Sequence, residues 1–255
     1  MIRKNLVGKA LIGVLVAGLV STAASAQTVD ELIEKNIQAK GGREKIQAIK
    51  TVRMTGKMSM GQGMEAPITM ELSRPNKMRM EFVFQGMTGV QTYDGKEGWS
   101  LSPFMGKTDP EPLSGSQLEQ MAEQADFDGP LFDYKGKGHK VELVGKEDLE
   151  GTPAYKLKMT KKNGDIAYIW LDAEHYLELK ASGKTNVNGQ EIEGETWFGD
   201  YKEVGGVLMA HSVESKATGM PGGMTITIDK IEVNPDLAAD RFGKPKAEKP
   251  AGTPK

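Results

Sequence analysis

Between residues 51 and 233, apolar side chains recur at every second position in one run after another. That alternation confines the chain to strands with one greasy and one wet face. Val52, Met54, Met58 and Met60 fall on one side of the first run, and Arg53, Thr55, Lys57 and Ser59 on the other. After Gly61-Gln62-Gly63 the pattern returns: Ala66, Ile68, Met70 and Leu72 oppose Thr69, Glu71 and Ser73, and Arg74-Pro75-Asn76 makes a turn. Next, Met78, Met80, Phe82 and Phe84 oppose Lys77, Arg79, Glu81 and Gln85. Asp94-Gly95, Asn163-Gly164, Asn188-Gly189, Gly205-Gly206 and Gly222-Gly223 supply residues that tolerate positive φ in tight hairpins. The runs between them, with Leu157 and Met159 against Lys156 and Lys158 as one case, extend the meander to about eleven antiparallel strands. In the last run the apolar parity switches from Met224, Ile226 and Ile228 to Ile231 and Val233, so a bulge is expected near Asp229-Lys230.

Two segments have the helical period instead. Thr28 or Asp30 can cap a helix in which Val29, Leu32, Ile33 and Ile37 share a face, with Gly41-Gly42 as its stop and a short turn at Arg43 to Ile49 after it. Ser114 or Ser116 opens a second helix with Leu118, Met121, Ala122 and Ala125 on one side, after a proline-rich loop, Pro103 to Pro112. The fold class is therefore mainly β, a single long sheet that must curl and that two short helices cover only in part.

Residues 1–26 have the make-up of a cleaved signal peptide: Arg3, Lys4 and Lys9, the apolar run Ala10 to Val20, then Ala24-Ser25-Ala26 before Gln27. The run is short for a membrane span, although an uncleaved anchor is the alternative. Residues 27–242 read as one domain, and Gly243 to Lys255, rich in Lys, Pro, Ala and Gly, as a disordered tail. With no cysteine, stability rests on the core. The net charge of −2 becomes more negative when three basic residues leave with the leader, and lysines and acids are interspersed, which argues against nucleic acid as a partner.

Ten of the 15 methionines lie between Met54 and Met121, mostly on inward strand positions. Unbranched thioethers repack around varied apolar shapes, so the row reads either as a lining for flexible ligands or as a core with methionine as gap-filler. A sheet too long for its helices favours a cavity. The pairs Met58/Met60, Met78/Met80 and Met220/Met224 also have spacings that thioethers use for Cu(I), but in a strand this is plain alternation, and His139, His175 and His211 are scattered. Neither G-x-S-x-G nor a phosphate loop occurs, and Asp126 and Asp128, beside Gly129-Pro130, suit a turn at least as well as acid–base chemistry. No enzyme activity, cofactor or metal is expected.

Arg74-Pro75-Asn76, then Asp94-Gly95-Lys96-Glu97-Gly98-Trp99 and Pro103-Phe104, resemble in order and spacing the periplasmic lipoprotein carrier family LolA. The stretches Leu32 to Gly42, Ile46 to Met60 and Asp126 to Thr160 look more like the wider group of outer membrane lipoprotein-sorting proteins. The resemblance covers most of residues 28–242. It implies an incomplete, curled antiparallel β-barrel closed by helices, with an apolar cavity for acyl chains. On that view Met54, Met58, Ile68, Met70, Leu72, Met78, Met80, Phe82, Trp99, Leu101, Leu157 and Met159 line the cavity. Arg74 would take the family arginine's role of hydrogen-bonding a helical lid and controlling its opening. The chain departs from the carrier in its alternating Lys77 and Arg79 and in its basic tail. The expected protein is a monomeric periplasmic carrier of lipid or lipoprotein acyl chains between an inner-membrane donor and an outer-membrane acceptor. The alternative is a lipid-sensing or protein-interaction module of the envelope, without carrier activity.

Overall fold

The computed structural model describes residues 27–61, 63–187 and 190–247. The leader-like segment 1–26, the expected Asn188-Gly189 turn and residues 248–255 lie outside the described residues. Helix α1 (Val29–Ala39) starts with a reciprocal cap, in which Thr28 Oγ1 accepts from the Glu31 N–H at 3.3 Å and Glu31 Oε2 accepts from the Thr28 N–H at 2.8 Å. Its end turns through Gly41 and Gly42, both at positive φ, into the short α2 (Arg43–Ala48). Strands β1 (Thr51–Met60), β2 (Met64–Ser73), β3 (Lys77–Phe84), β4 (Met87–Tyr93), β5 (Gly98–Ser102) and β6 (Lys107–Pro112) precede α3 (Gly115–Gln124). After α3 come β7 (Lys140–Leu149), β8 (Thr152–Thr160), β9 (Ile166–Asp172), β10 (Glu178–Val187), β11 (Gln190–Val204), β12 (Val207–Ala217) and β13 (Met220–Val233).

All 13 strands join one antiparallel sheet in the order β6-β5-β4-β3-β2-β1-β13-β12-β11-β10-β9-β8-β7. Its end strands, β6 and β7, do not pair, so the sheet is curled but not closed, as the mainly β reading requires. The curl lets α3 touch β3 and β4 on one wall and β10 on the other. The sheet exceeds the expected count partly because of β6, which the prolines of 103–112 argue against: a 3₁₀ turn (Pro103–Met105) leads into an edge strand, where Pro110 and Pro112 lose no central ladder bond. The Gly222-Gly223 turn is likewise corrected, because both glycines lie within β13 and the turn is at Thr218-Gly219. The expected bulge is present: Thr55 pairs with Lys230 and Gly56 with Ile228, leaving Asp229 extra. A Cβ on Gly56 would stand 2.0 Å from the Thr227 carbonyl oxygen, so only glycine lets β1 pass it.

The concave face holds the core in three clusters. The largest joins α1, α2, Leu131 and Phe132 to β7–β9, β1 and β13, and Leu157 and Met159 are wholly buried in it. Asn36 Nδ2 donates to the Tyr176 carbonyl (2.7 Å), and Lys40 pairs with Glu178 (3.0 Å), tying α1 to the sheet. The second cluster packs Met121 and Ala125 of α3 on Met78 and Tyr93. The third gathers Met58, Ala66 and Ile68.

On the convex face the start of the expected tail is not free. Residues 243–247 continue a strap from a second 3₁₀ turn (Ala239–Phe242), which buries Phe242. Thr92 Oγ1 donates to the Gly243 carbonyl (3.0 Å), Lys244 Nζ lies 4.7 Å from the Trp99 ring centroid, and Pro245 is buried. Composition missed this because a strap needs only one aromatic anchor and a few backbone acceptors, not a core of its own.

Under the strap, Glu71 is 1% exposed and accepts from Arg53 Nε (2.8 Å) and Arg241 Nε (2.7 Å). Burial pushes its carboxyl up, but the two guanidiniums outweigh burial and hold it below the usual range. A depressed folded pKa gives stability that is complete above the unfolded value and lost as pH falls through the folded one. Glu71→Gln is therefore expected to cost about 2–3 kcal/mol at neutral pH, with the gap to wild type closing as pH falls from about 5 towards 3. Urea unfolding of both proteins at several pH values checks this. A gap independent of pH would show that the carboxylate charge contributes nothing.

Candidate functional site

Register brings the sequence-derived row together on the concave face. Met54 pairs with Met70 and Met70 with Met80, while Ile231 of β13 pairs with Met54, so one apolar rung crosses four strands. The rung towards the open end of the helices is Ile228, Gly56, Ile68 and Phe82. The rung under α3 contains Val52, Leu72, Met78 and Tyr93.

Burial separates core from lining within this set. Met58, Ile68 and Met78 are packed at 6%, 4% and 0% exposure. Met54, Met60, Met70, Met80, Leu72 and Phe82 are only half-buried, and Met224 and Ile226 of β13 join them at the third cluster. The result is a concave apolar strip, rich in thioethers, that the helices among the described residues leave partly exposed. Phe82 closes one side: its ring lies on Gly89, where a Cβ would stand 2.5 Å away, and 5.5 Å from the Phe104 ring. A side chain at position 89 would push that ring over the strip.

Four expected lining residues lie elsewhere. Leu157 and Met159 do face inwards, but α1 and its neighbours pack them completely, so they belong to the core. Trp99 and Leu101 stand on the opposite face, because Trp99 pairs with Thr92 and Leu101 with Val90, whose partners in β3 are the outward Arg79 and Glu81. Alternation read on β5 alone does not say which parity faces in, and the large residues of this strand are the outward ones. Trp170 and Trp197 also face out, with Lys180 Nζ 5.5 and 4.5 Å from their ring centroids.

Arg74 joins sheet and helices. Its Nε donates to the Ile49 carbonyl (2.7 Å) and its Nη2 to the Ile46 carbonyl (3.0 Å), which satisfies carbonyls at the end of α2. Nη1 and Nη2 also grip Asp128 at 2.7 and 2.5 Å, and the guanidinium carbon lies 4.4 Å from the Phe127 ring centroid. One side chain at the β2–β3 turn thus holds α2 and the segment after α3. That segment is braced in turn by Lys137, whose Nζ donates to both Asp126 oxygens (2.8 and 2.6 Å) and to the Gly129 carbonyl (2.7 Å). Sequence reasoning saw Asp126 and Asp128 as turn formers and missed them as partners of Arg74 and Lys137. The available signal was a pair of acids around an aromatic residue, directly after a predicted helix.

No family model and no curated protein matches the chain. Among solved structures, the fold is similar to a DUF1329 family protein from Desulfovibrio piger (13% identity, TM-score 0.59, 86% of this chain and 98% of that one). It is also similar to a LolA superfamily protein from Nitrosomonas europaea (14%, 0.57, 86% and 99%). A third likeness is to an outer membrane lipoprotein-sorting protein domain from Vibrio parahaemolyticus (14%, 0.53, 82% and 97%). At these identities the likeness is one of fold: the chain has the curled sheet and helices of LolA-like proteins.

Proposed function

We propose that the protein is a non-enzymatic carrier, which shelters acyl chains of a lipid or lipoprotein in the concave trough and passes them on towards the outer membrane. The observation that carries this reading is the half-buried row Met54, Met70 and Met80, held on a rigid sheet beside helices that one arginine ties down. A core filler would be sealed. A lining must stay partly open and able to repack, which is where unbranched thioethers serve best.

Each methylene moved from water into such a site is worth about 0.8 kcal/mol, so a chain can be held firmly yet leaves a membrane only with a donor's help. On this reading the signal-like segment 1–26 directs export to the periplasm, and the protein works as a monomer between an inner-membrane donor and an outer-membrane acceptor. The likeness in fold to the outer membrane lipoprotein-sorting domain from Vibrio parahaemolyticus supports the direction of transfer.

The test is mass spectrometry of organic extracts of the protein purified from the periplasm without detergent. Acyl lipid or lipoprotein at near-stoichiometric loading is the expected result. A protein that carries none, and takes none from vesicles, would overturn the proposal.

A further inference from the structure

The apolar rung Ile231, Met54, Met70 and Met80 does not end at an edge. It continues through Gln91 on β4 and Ser100 on β5 to Glu111 on β6. Here the concave face changes from thioether to amide and hydroxyl within one strand spacing. Gln91 and Ser100 lie in a cleft of about 340 Å³ between β4–β6 and α3, and Met121, which packs on Met78, forms its inner wall. From the helix side Gln117, Gln120 and Gln124 line the same cleft.

Three amides on successive turns of α3 thus face two polar strand residues. Among the described residues, none of these side chains is hydrogen-bonded to another protein group, so their donors and acceptors are open to a ligand. The charges at the cleft are Lys107 and Glu111, which pair with each other at 2.7 Å and cancel.

We infer that this cleft is a headgroup subsite continuous with the trough, and that it takes an uncharged, hydrogen-bonding headgroup, a polyol, ester or amide, on an acyl-bearing ligand. The inference rests on the carrier reading and specifies its ligand class. Amides and hydroxyls donate and accept at once, which matches such groups. A phosphate would meet acceptor oxygens it cannot use, a lysine already engaged and the Glu111 carboxylate. Uncompensated cations are what anionic headgroups require, and none lines the cleft.

The probe is N-phenyl-1-naphthylamine, a neutral apolar fluorophore, displaced by two ligands with the same lauroyl-length chain: monododecanoylglycerol and dodecyl phosphate. Wild type is expected to release the probe at about tenfold lower concentration of the glycerol ester, as one or two net hydrogen bonds would give. Gln91→Leu should bind the probe as before and lose most of that preference. Gln120→Leu, at an exposed helix position, makes the same test should the strand variant misfold. Equal displacement by both ligands in wild type, or an intact preference in the folded variants, would overturn the headgroup subsite alone. A wild type that does not bind the probe at all would overturn the carrier reading with it.

Discussion

Arg74→Leu is expected to unlatch the helices and leave the protein loaded with ligand. The substitution removes two hydrogen bonds to carbonyls at the end of α2 and a two-pronged grip on Asp128, and leaves that carboxylate, itself 17% exposed, without its cation. Loss of charge-assisted bonds at a partly buried site costs about 1.5–3 kcal/mol, and one to two powers of ten in the balance between latched and unlatched states follow. Most of that cost falls on the α2 end and on residues 126–129, because the sheet itself is held by its own ladder. Hydrogen exchange should therefore speed up at α2 and after α3 while the strands stay protected. With the helices free to move, ligand enters the trough easily. On the proposed carrier reading, recovery of the Arg74 contacts drives its departure, which the substitution slows. The expected result is more co-purifying lipid per mole of Arg74→Leu than of wild type, with an unchanged circular dichroism spectrum. Equal loading, with α2 as protected as before, would reduce Arg74 to a charge at a hairpin end. Asp128→Asn is the companion variant, since it keeps the arginine and weakens the same grip, and it should shift loading in the same direction by a smaller factor.

Much of this arrangement is legible in the chain, for a physical reason. Alternation is a local property, so Met54, Met58, Ile68, Met70, Met78, Met80 and Phe82 declare a common face within each strand, and the short turns between β1, β2 and β3 oblige those faces to coincide. The parity switch between Ile228 and Ile231 marks the Asp229 bulge for the same reason. What alternation cannot supply is the sign of a face when the large residues of a strand are the outward ones. Trp99 and Leu101 oppose small inward neighbours, Gly98 and Ser100; Gly98 is small because Leu113 and Leu118 of the helix region sit against it. Depth is also hidden, because Leu157 and Met80 look alike in sequence, while only the first lies beneath α1. The convex strap escapes for a different reason: Phe242, Gly243 and Pro245 gain their burial from partners some 150 residues earlier, such as Thr92, whose carbonyl-seeking hydroxyl has no signature. Pairings across that separation, Arg241 with Glu71 among them, are fixed by the assembled sheet and not by any local pattern.

Met80→Glu is expected to abolish apolar binding while the sheet still folds. Met80 sits at the centre of the rung, between Met70 and Gln91, and touches both the cluster under α3 and the cluster at the open end. A carboxylate placed there keeps part of its hydration while the trough is empty, since the position is only half-buried, and the fold should lose about 1–3 kcal/mol. An acyl chain or apolar probe laid over it would strip that remaining water, so the penalty falls mainly on the bound state. Affinity for N-phenyl-1-naphthylamine should drop by at least a hundredfold at pH 7. The sign of the pH dependence follows from the same physics. Apolar surroundings disfavour the charged form and raise the pKa of the introduced carboxyl above its usual value near 4.3, so a neutral acid forms as pH falls towards 5 and below. Probe binding by the variant should therefore return in part on mild acidification, whereas wild type, with no titrating group among Ile231, Met54, Met70 and Met80, should change little over that range. Met80→Leu keeps volume and apolarity and should bind within a fewfold of wild type, which separates a loss of greasiness from a loss of shape. Should folded Met80→Glu bind the probe at pH 7 as tightly as wild type, the half-buried methionines would be gap-fillers in an ordinary core and the ligand would have to lie elsewhere on the molecule.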